Sequence, residues 1–399
     1  MSSAIKQKIK KLKDLNLAKF FEPLNTDYFS AKEKWQSTQI GYLIESFTDH
    51  KFPDLTYCEI AIFNVNEYNG SSNKVAEDIC KVRKNLYDLH FENIPRIKDL
   101  GNLKLENSRK QNFDTITEVC YVLLNNGTLP ILVGGGHDIV YAMYKAHTKF
   151  KKKISYTCID NKFDIGLIDD KLSNQSHLSK IIKAKPNYLY NYTNLAYQSF
   201  YVSPHAIKML ETIKFSYLRL GDIRKNISSV EPILRDSNML SLDISSISSA
   251  YAKANNYCSP NGLNGNEICK LLFYAGISDK LKSFGIFEYN QNLDHDDQTA
   301  KLISQIIWYF LEGFHSRVSE DIPSSKNLTF YNVTSENDTN NMVFCKSKIS
   351  NRWWIVVKKD HRYNKLKVDQ FFACSYSDYE LAINGDVPDT WLRVIKLLS

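Results

Sequence analysis

Four side chains able to bind a cation or move a proton stand at or just beyond the ends of short apolar runs. Gly134-Gly135-Gly136-His137 follows the run 129–133, Asp160 follows 154–159, Asp243 closes 238–243, and Glu288 lies near the end of 284–289. An imidazole among carboxylates is a donor set for a divalent ion. A single Asp after a strand is ordinarily a helix cap or turn residue, because its carboxylate accepts nearby backbone N–H groups. His, Asp, Asp and Glu delivered by four separate strands are harder to explain as caps. The three glycines allow a tight turn that brings the imidazole of His137 to the rim where the carboxylates fall.

The elements that must carry these residues are short apolar runs alternating with helical patterns. Strands are expected at 58–64, 129–133, 154–159, 198–202, 216–220, 238–243 and 284–289. Continuous apolar runs of this kind suit strands buried on both faces of a parallel sheet. Helices are expected near 73–89, 112–125, 138–147, 204–213, 227–235 and 265–275. A further one over 296–314 places Leu302, Ile303, Ile306, Ile307, Phe310, Leu311 and Phe314 on one stripe. The alternation predicts a doubly wound α/β sheet, in which ligands bind beyond the carboxyl ends of the strands. Residues 1–55 read as a polar helical extension, 56–315 as the α/β domain, and 325–399 as a β-rich C-terminal extension holding LTFYNV, MVFCK and RWWIVV. The stretch between the last two, with Pro323, Ser324 and Ser325, reads as a connector.

Three motifs occur in a fixed order: Gly134-Gly135-Gly136-His137-Asp138, then Asp160-Asn161-Lys162-Phe163-Asp164, then Ser241-Leu242-Asp243-Ile244-Ser245. Ser259-Pro260-Asn261-Gly262-Leu263, Glu267, and Glu288-Tyr289-Asn290 through Asp294 to Thr299-Ala300 follow. In order and placement, the chain over roughly 55–315 resembles the arginase, agmatinase and formimidoylglutamase family of ureohydrolases, and the triple glycine resembles the formimidoylglutamase branch. The resemblance implies a three-layer αβα sandwich with a mostly parallel sheet, the arginase-like fold, carrying N- and C-terminal additions. It implies hydrolysis of a C–N bond in a linear amidine, formimino or guanidino, with metal ions that activate water. It also implies a homo-oligomer.

Within the resemblance, one metal site maps to His137, Asp160, Asp164 and Asp243, all present. The second site's own ligands, a His and an Asp in the family, fall on Lys162 and Ser245; a further family Asp and the Pro after it are Ser248 and Ser249. One ion per chain is therefore expected, with the Lys162 ammonium in place of the second. Three carboxylates then balance one divalent ion and one lysine, which a buried cluster favours. Oxygen donors with one imidazole suit Mn²⁺ ahead of Mg²⁺, Fe²⁺ or Zn²⁺. Glu288 matches the family residue that pairs with an amidinium. His177 stands thirteen residues after Asp164, the offset at which arginases carry a proton-shuttling His; a surface His is the plain alternative. Lys162, as a point charge, could orient the attacking water. Catalytic roles are thus expected for His177, Glu288 and Lys162. The competing reading is a catalytically degenerate pseudoenzyme kept as a binding or assembly module, since fold does not guarantee chemistry.

Composition narrows the remaining classes. The formal charge of +7 comes from 51 basic and 44 acidic residues mixed along most of the chain, which favours a solvated surface over a nucleic-acid face. The one basic cluster, Lys6 to Lys13, reads as a short surface helix. Charged residues interrupt any apolar run within the first twenty positions and no window of about 18 apolar residues occurs, so neither a secretory signal nor a membrane span is expected. The eight cysteines form no CxxC pair. A reduced, cytoplasmic protein without disulfides or structural zinc is expected.

Overall fold

A computed structural model of the chain describes residues 17–24, 29, 32–48, 51–73, 80–166, 171–319, 325–334, 341–358 and 369–398. The Lys6 to Lys13 cluster lies outside the described residues. The strands of the main sheet are β1 (Phe21–Glu22), β2 (Glu45–Ser46), β3 (Ile60–Asn64), β4 (Ile97–Leu103), β5 (Leu129–Val133), β6 (Ile154–Ile159), β7 (Leu189–Tyr197), β8 (Ser216–Arg219), β9 (Met239–Asp243) and β10 (Ser283–Phe287). They run in the order β1-β4-β3-β5-β10-β9-β6-β7-β8, with β2 also on β4. All pairings are parallel except β1 with β4.

Strand residues alternate between two cores. Ile60, Ile62, Ile131, Leu240, Leu242, Phe284 and Ile286 face the core shared with the helices Cys80–Tyr87, Gly265–Gly276 and Gln298–His315. Ala61, Phe63, Leu132, Tyr156, Cys158 and Met239 face the core shared with Arg109–Asn126, Val140–Thr148 and His177–Ile182. Helices on both faces of a parallel sheet make the expected three-layer αβα sandwich.

Register sets the rim. Ile286 lies opposite Val133, Phe287 opposite Asp243, and Leu242 opposite Ile159. The carboxyl ends of β5, β10, β9 and β6 are therefore level. The glycine turn, Glu288, Asp243 and Asp160 leave the sheet side by side.

Three parts differ from the expectation. Residues 198–202 are not a strand: Ser199–Tyr201 form a 3₁₀ turn, and the strand is β7, just before it. The QSFYV run has the aromatic and branched residues of a strand, whereas β7 carries Asn191, Thr193 and Asn194, and Asn is depleted in strands. Strand β4 was hidden by its charges: Asp99 is fully buried and paired at 2.8 Å with Arg83. The described part of the N-terminal segment is not simply polar and helical. It adds β1 and β2 to the sheet edge and buries Leu17, Phe21, Leu24, Trp35, Ile40, Ile44 and Phe47.

The C-terminal addition is an antiparallel sheet of β11 (Leu328–Val333), β12 (Met342–Ser347), β13 (Trp353–Val357) and β14 (Gln370–Cys374), followed by the helices Tyr376–Ile383 and Asp389–Leu398. Arg235 docks it, donating to Trp353 O and Cys374 O at 3.1 and 2.9 Å and stacking on Trp354. No helix among the described residues is long and apolar enough to cross a membrane.

Candidate metal centre

The turn after β5 has Gly134 and Gly135 in the left-handed region at φ 88° and 83°. A Cβ on Gly135 would stand 2.1 Å from Ile139 Cδ1 and 2.8 Å from Val65 O, so only glycine fits. The turn delivers His137 at the start of a 3₁₀ turn running into the helix Val140–Thr148. Asp160 follows β6 and Asp243 ends β9. Asp164 and Glu288 both sit at positive φ, 48° and 68°, a conformation costly for residues with a Cβ and held by the surrounding structure.

One nitrogen stands at the focus. His137 Nδ1 lies 3.1 Å from Asp164 Oδ2, 3.4 Å from Asp160 Oδ2 and 3.5 Å from Asp243 Oδ2. All four residues are buried, and their ligating atoms lie within 4.8 Å of one another. The other oxygens of two carboxylates are occupied: Asp160 Oδ1 accepts from Lys162 N at 3.0 Å, and Asp243 Oδ1 from Ser245 N at 2.7 Å. Asp160 Oδ2 is buried with no hydrogen-bond partner among the described residues. A buried carboxylate oxygen facing two others across an imidazole is an arrangement a cation would relieve. One imidazole and three oxygens fit a hard or borderline divalent ion.

The electrostatics agree. Burial, and then the charge of Asp164, push the Asp160 carboxyl up to about 7. Burial alone would lower the His137 imidazole, but the Cys158 thiol and the three carboxylates outweigh it and hold it well above the usual range. Without a metal the cluster holds on to protons, which a divalent ion would displace.

The opposite ring nitrogen, His137 Nε2, meets Ser241 Oγ at 2.9 Å, and Ser241 Oγ meets Tyr156 OH at 2.8 Å. Cys158 Sγ lies 3.8 Å from the same nitrogen. A proton on Nε2 shared with Ser241 leaves the Nδ1 lone pair free for an ion. The sequence reading missed Ser241, Tyr156 and Cys158. The signal was present in the two-residue period of a strand, since Ser241 shares a face with Asp243, and Tyr156 and Cys158 with Asp160.

The three expected catalytic residues are placed differently from one another. His177 is buried and its ring packs against that of His137, centroids 4.4 Å apart and planes tilted by 52°. Its Nδ1 is 3.6 Å from Asp164 Oδ2 and its Nε2 is 3.4 Å from Tyr156 OH. Burial, and then the nearby charge of His137, hold its pKa well below the usual value.

Glu288 is also buried, and both its oxygens are engaged. Oε1 accepts from His137 N at 2.8 Å; Oε2 accepts from Ser71 Oγ at 2.5 Å and Asn73 Nδ2 at 2.7 Å. Burial, then the charge of Asp243, raise its carboxyl to about 7. Glu288 therefore braces the glycine turn, rather than presenting a free carboxylate.

Lys162 does not stand among the carboxylates. Its ammonium lies 5.0 Å from the ring centroid of Tyr257 and 5.8 Å from that of Tyr201, and it forms no ion pair with any of the described residues. The expectation that it fills the place of a second ion is corrected on this point: the aromatic faces draw the cation outward. Ser245 is buried beside Asp243 and offers a hydroxyl only, and Asn161 Nδ2 donates to its carbonyl at 2.8 Å. Ser248 Oγ donates to Pro260 O at 2.7 Å.

A family model described as the arginase family matches residues 65–312. A formimidoylglutamase of Legionella pneumophila is 25% identical over 248 residues, covering 58% of this chain and 76% of that protein. Among solved structures, the Trypanosoma cruzi formiminoglutamase with Mn²⁺ superposes at TM-score 0.61 with 16% identity, covering 67% of this chain and 97% of that one. The agmatine ureohydrolase of Thermoplasma volcanium superposes at TM-score 0.57 with 19% identity, covering 71% and 98%.

Proposed function

The chain belongs to the arginase family, and from that premise we propose that it is a metal-dependent hydrolase of a linear amidine, formimino or guanidino, working with one Mn²⁺ per chain. The observation that carries this reading is the single focus of donors, three Oδ2 atoms at 3.1–3.5 Å around His137 Nδ1. His137, Asp160, Asp164 and Asp243 would hold the ion. A divalent ion held there would supply Lewis acidity and lower the pKa of a water bound to it.

The residues of the chain do the rest. Ser241 and Tyr156 orient His137 through Nε2. Glu288 fixes the backbone from which His137 projects. His177, on the His137 ring and within reach of the Tyr156 hydroxyl, is placed to move a proton to or from the reacting group. Lys162, between Tyr201 and Tyr257, offers a cation outside the carboxylate cluster for the anionic end of a substrate. Charge counting supports an amidinium. Three carboxylates and one divalent ion leave one negative charge, which a cationic substrate neutralises and a neutral amide does not.

The test is purified protein loaded with Mn²⁺ and offered N-formimino and guanidino amino acids, with formamide, ammonia and urea measured. Release of one of these, abolished by Asp243→Ala, supports the reading. No release at one bound ion per chain would overturn the catalytic part and favour the binding or assembly module, which Lys162, Ser245 and the C-terminal sheet already make a serious alternative.

A further inference from the structure

At the other end of the same strands lies a cavity of about 460 Å³. Leu129 opens β5, Ile154 opens β6, and Leu281 and Lys282 precede β10; all four line it. It is one strand length from the carboxylate cluster, roughly 15 Å at about 3.3 Å per residue, and shares no residue with it. Its size is that of a small-molecule site. The walls are mainly apolar, with Phe150 and Phe314 among them, and the polar groups are mostly of one sign. Lys152, Lys153, Lys282 and Arg317 face one carboxylate, Glu59, which is already paired with Arg96 at 3.2 Å.

Arg317 makes this more than a basic rim. Its Nε donates to Gly276 O at 2.7 Å and its guanidinium stacks on Phe314 at 3.9 Å, so the group is held in place. Yet its Nη2 is buried without a hydrogen-bond partner among the described residues. The carboxylates of Asp279 and Glu59 act on the guanidinium through space without closing a hydrogen bond to Nη2, and a fixed guanidinium with an unused donor beside an apolar cavity is placed to take an anion. The buried His147, also in the wall, spends its Nε2 on Ser283 Oγ at 2.8 Å and offers no charge to compete.

We propose that this cavity binds a small organic anion, with a carboxylate or phosphate head on Arg317 beside Lys282 and Lys153 and an apolar body against Phe150, Leu281 and Phe314. The site is independent of the metal centre.

Isothermal titration of the full chain with phenyl phosphate, phenylacetate, benzyl alcohol and benzylamine tests it. One or both anions should bind saturably at one per chain; the neutral and cationic analogues should not. Which anion binds more tightly tells a phosphate head from a carboxylate. Arg317→Met should weaken binding by about tenfold or more, the worth of a charge-assisted bond, whereas Asp243→Ala should leave it unchanged. Should Arg317→Met not fold, Lys153→Glu with Lys282→Glu, both exposed, carries the same expectation. The proposal is overturned if neither anion saturates by about 5 mM, if benzyl alcohol binds as well, if the charge variants bind as the parent does, or if Asp243→Ala abolishes binding.

Discussion

Ser241→Ala tests whether His137 is a prepared metal ligand or an ordinary buried histidine. The Ser241 hydroxyl lies 2.9 Å from His137 Nε2 and 2.8 Å from Tyr156 OH, inside a fully buried pocket. Alanine leaves the Nε2 proton facing only Cys158 Sγ at 3.8 Å, a weak acceptor. The imidazole then loses the contact that fixes its tautomer and angle. Loss of such a contact behind a metal ligand typically costs 10- to 100-fold in metal affinity, about 1.4 to 2.8 kcal/mol. Leaving a buried donor unpaired costs about 1 to 3 kcal/mol of fold stability as well. The two effects separate by measurement: competition with a fluorescent chelator gives the Mn²⁺ dissociation constant, and urea unfolding of the metal-free protein gives the stability. Tyr156→Phe keeps the Ser241 hydroxyl and should show a smaller loss of affinity. A Ser241→Ala protein that is less stable but binds Mn²⁺ as tightly as the parent would refute the metal-ligand role of His137, because the structural cost would be present without the coordination cost.

Two further outcomes are expected. Burial lowers the His147 pKa from 6.5 to about 4, so its contribution to stability is complete above pH 6.5 and is lost as pH falls through about 4. Between pH 8 and 5 the loss is about 2 kcal/mol, and His147→Gln should remove that part of the pH slope in urea unfolding; an unchanged slope would mean His147 is protonated in the fold. On the single-ion proposal, Lys162→His with Ser245→Asp supplies the donors of a second site and should bind two Mn²⁺ per chain by elemental analysis, against one for the parent and for Lys162→His alone. Two ions in the parent would contradict the single-ion proposal.

What the sequence disclosed was set by where the side chains work. The rim residues could be read because each follows an apolar run, and β5, β6, β9 and β10 are buried on both faces and so leave continuous apolar signatures. Strands nearer the edges carry polar residues and were lost: β4 holds the Arg83–Asp99 pair, and β7 holds two asparagines. The direction of a long side chain could not be read. Lys162 follows Asp160 by two positions, yet its ammonium turns to Tyr201 and Tyr257, residues distant in sequence. Nor could the saturation of Glu288, which depends on Ser71 and Asn73, more than two hundred residues earlier.

The two positions on which the single-ion proposal turns, Ser245 and Lys162, differ in kind. Ser245 is buried, and its backbone N–H holds Asp243 Oδ1 whatever its side chain. An aspartate there would add a further negative charge beside Asp160 and Asp243, which only a second ion could offset. On the single-ion proposal, serine keeps the backbone contact without adding to the one negative charge that three carboxylates and one divalent ion leave. Lys162 is half-buried and reaches outward, where its charge is stabilised by the two tyrosine rings without desolvating the cluster. Restoring histidine alone would therefore add a neutral ligand without a further carboxylate to offset a second ion, and restoring aspartate alone would add a charge with no second ion to offset it. On the proposed reading each change accommodates the other, which is why the double variant, and neither single one, is the informative perturbation.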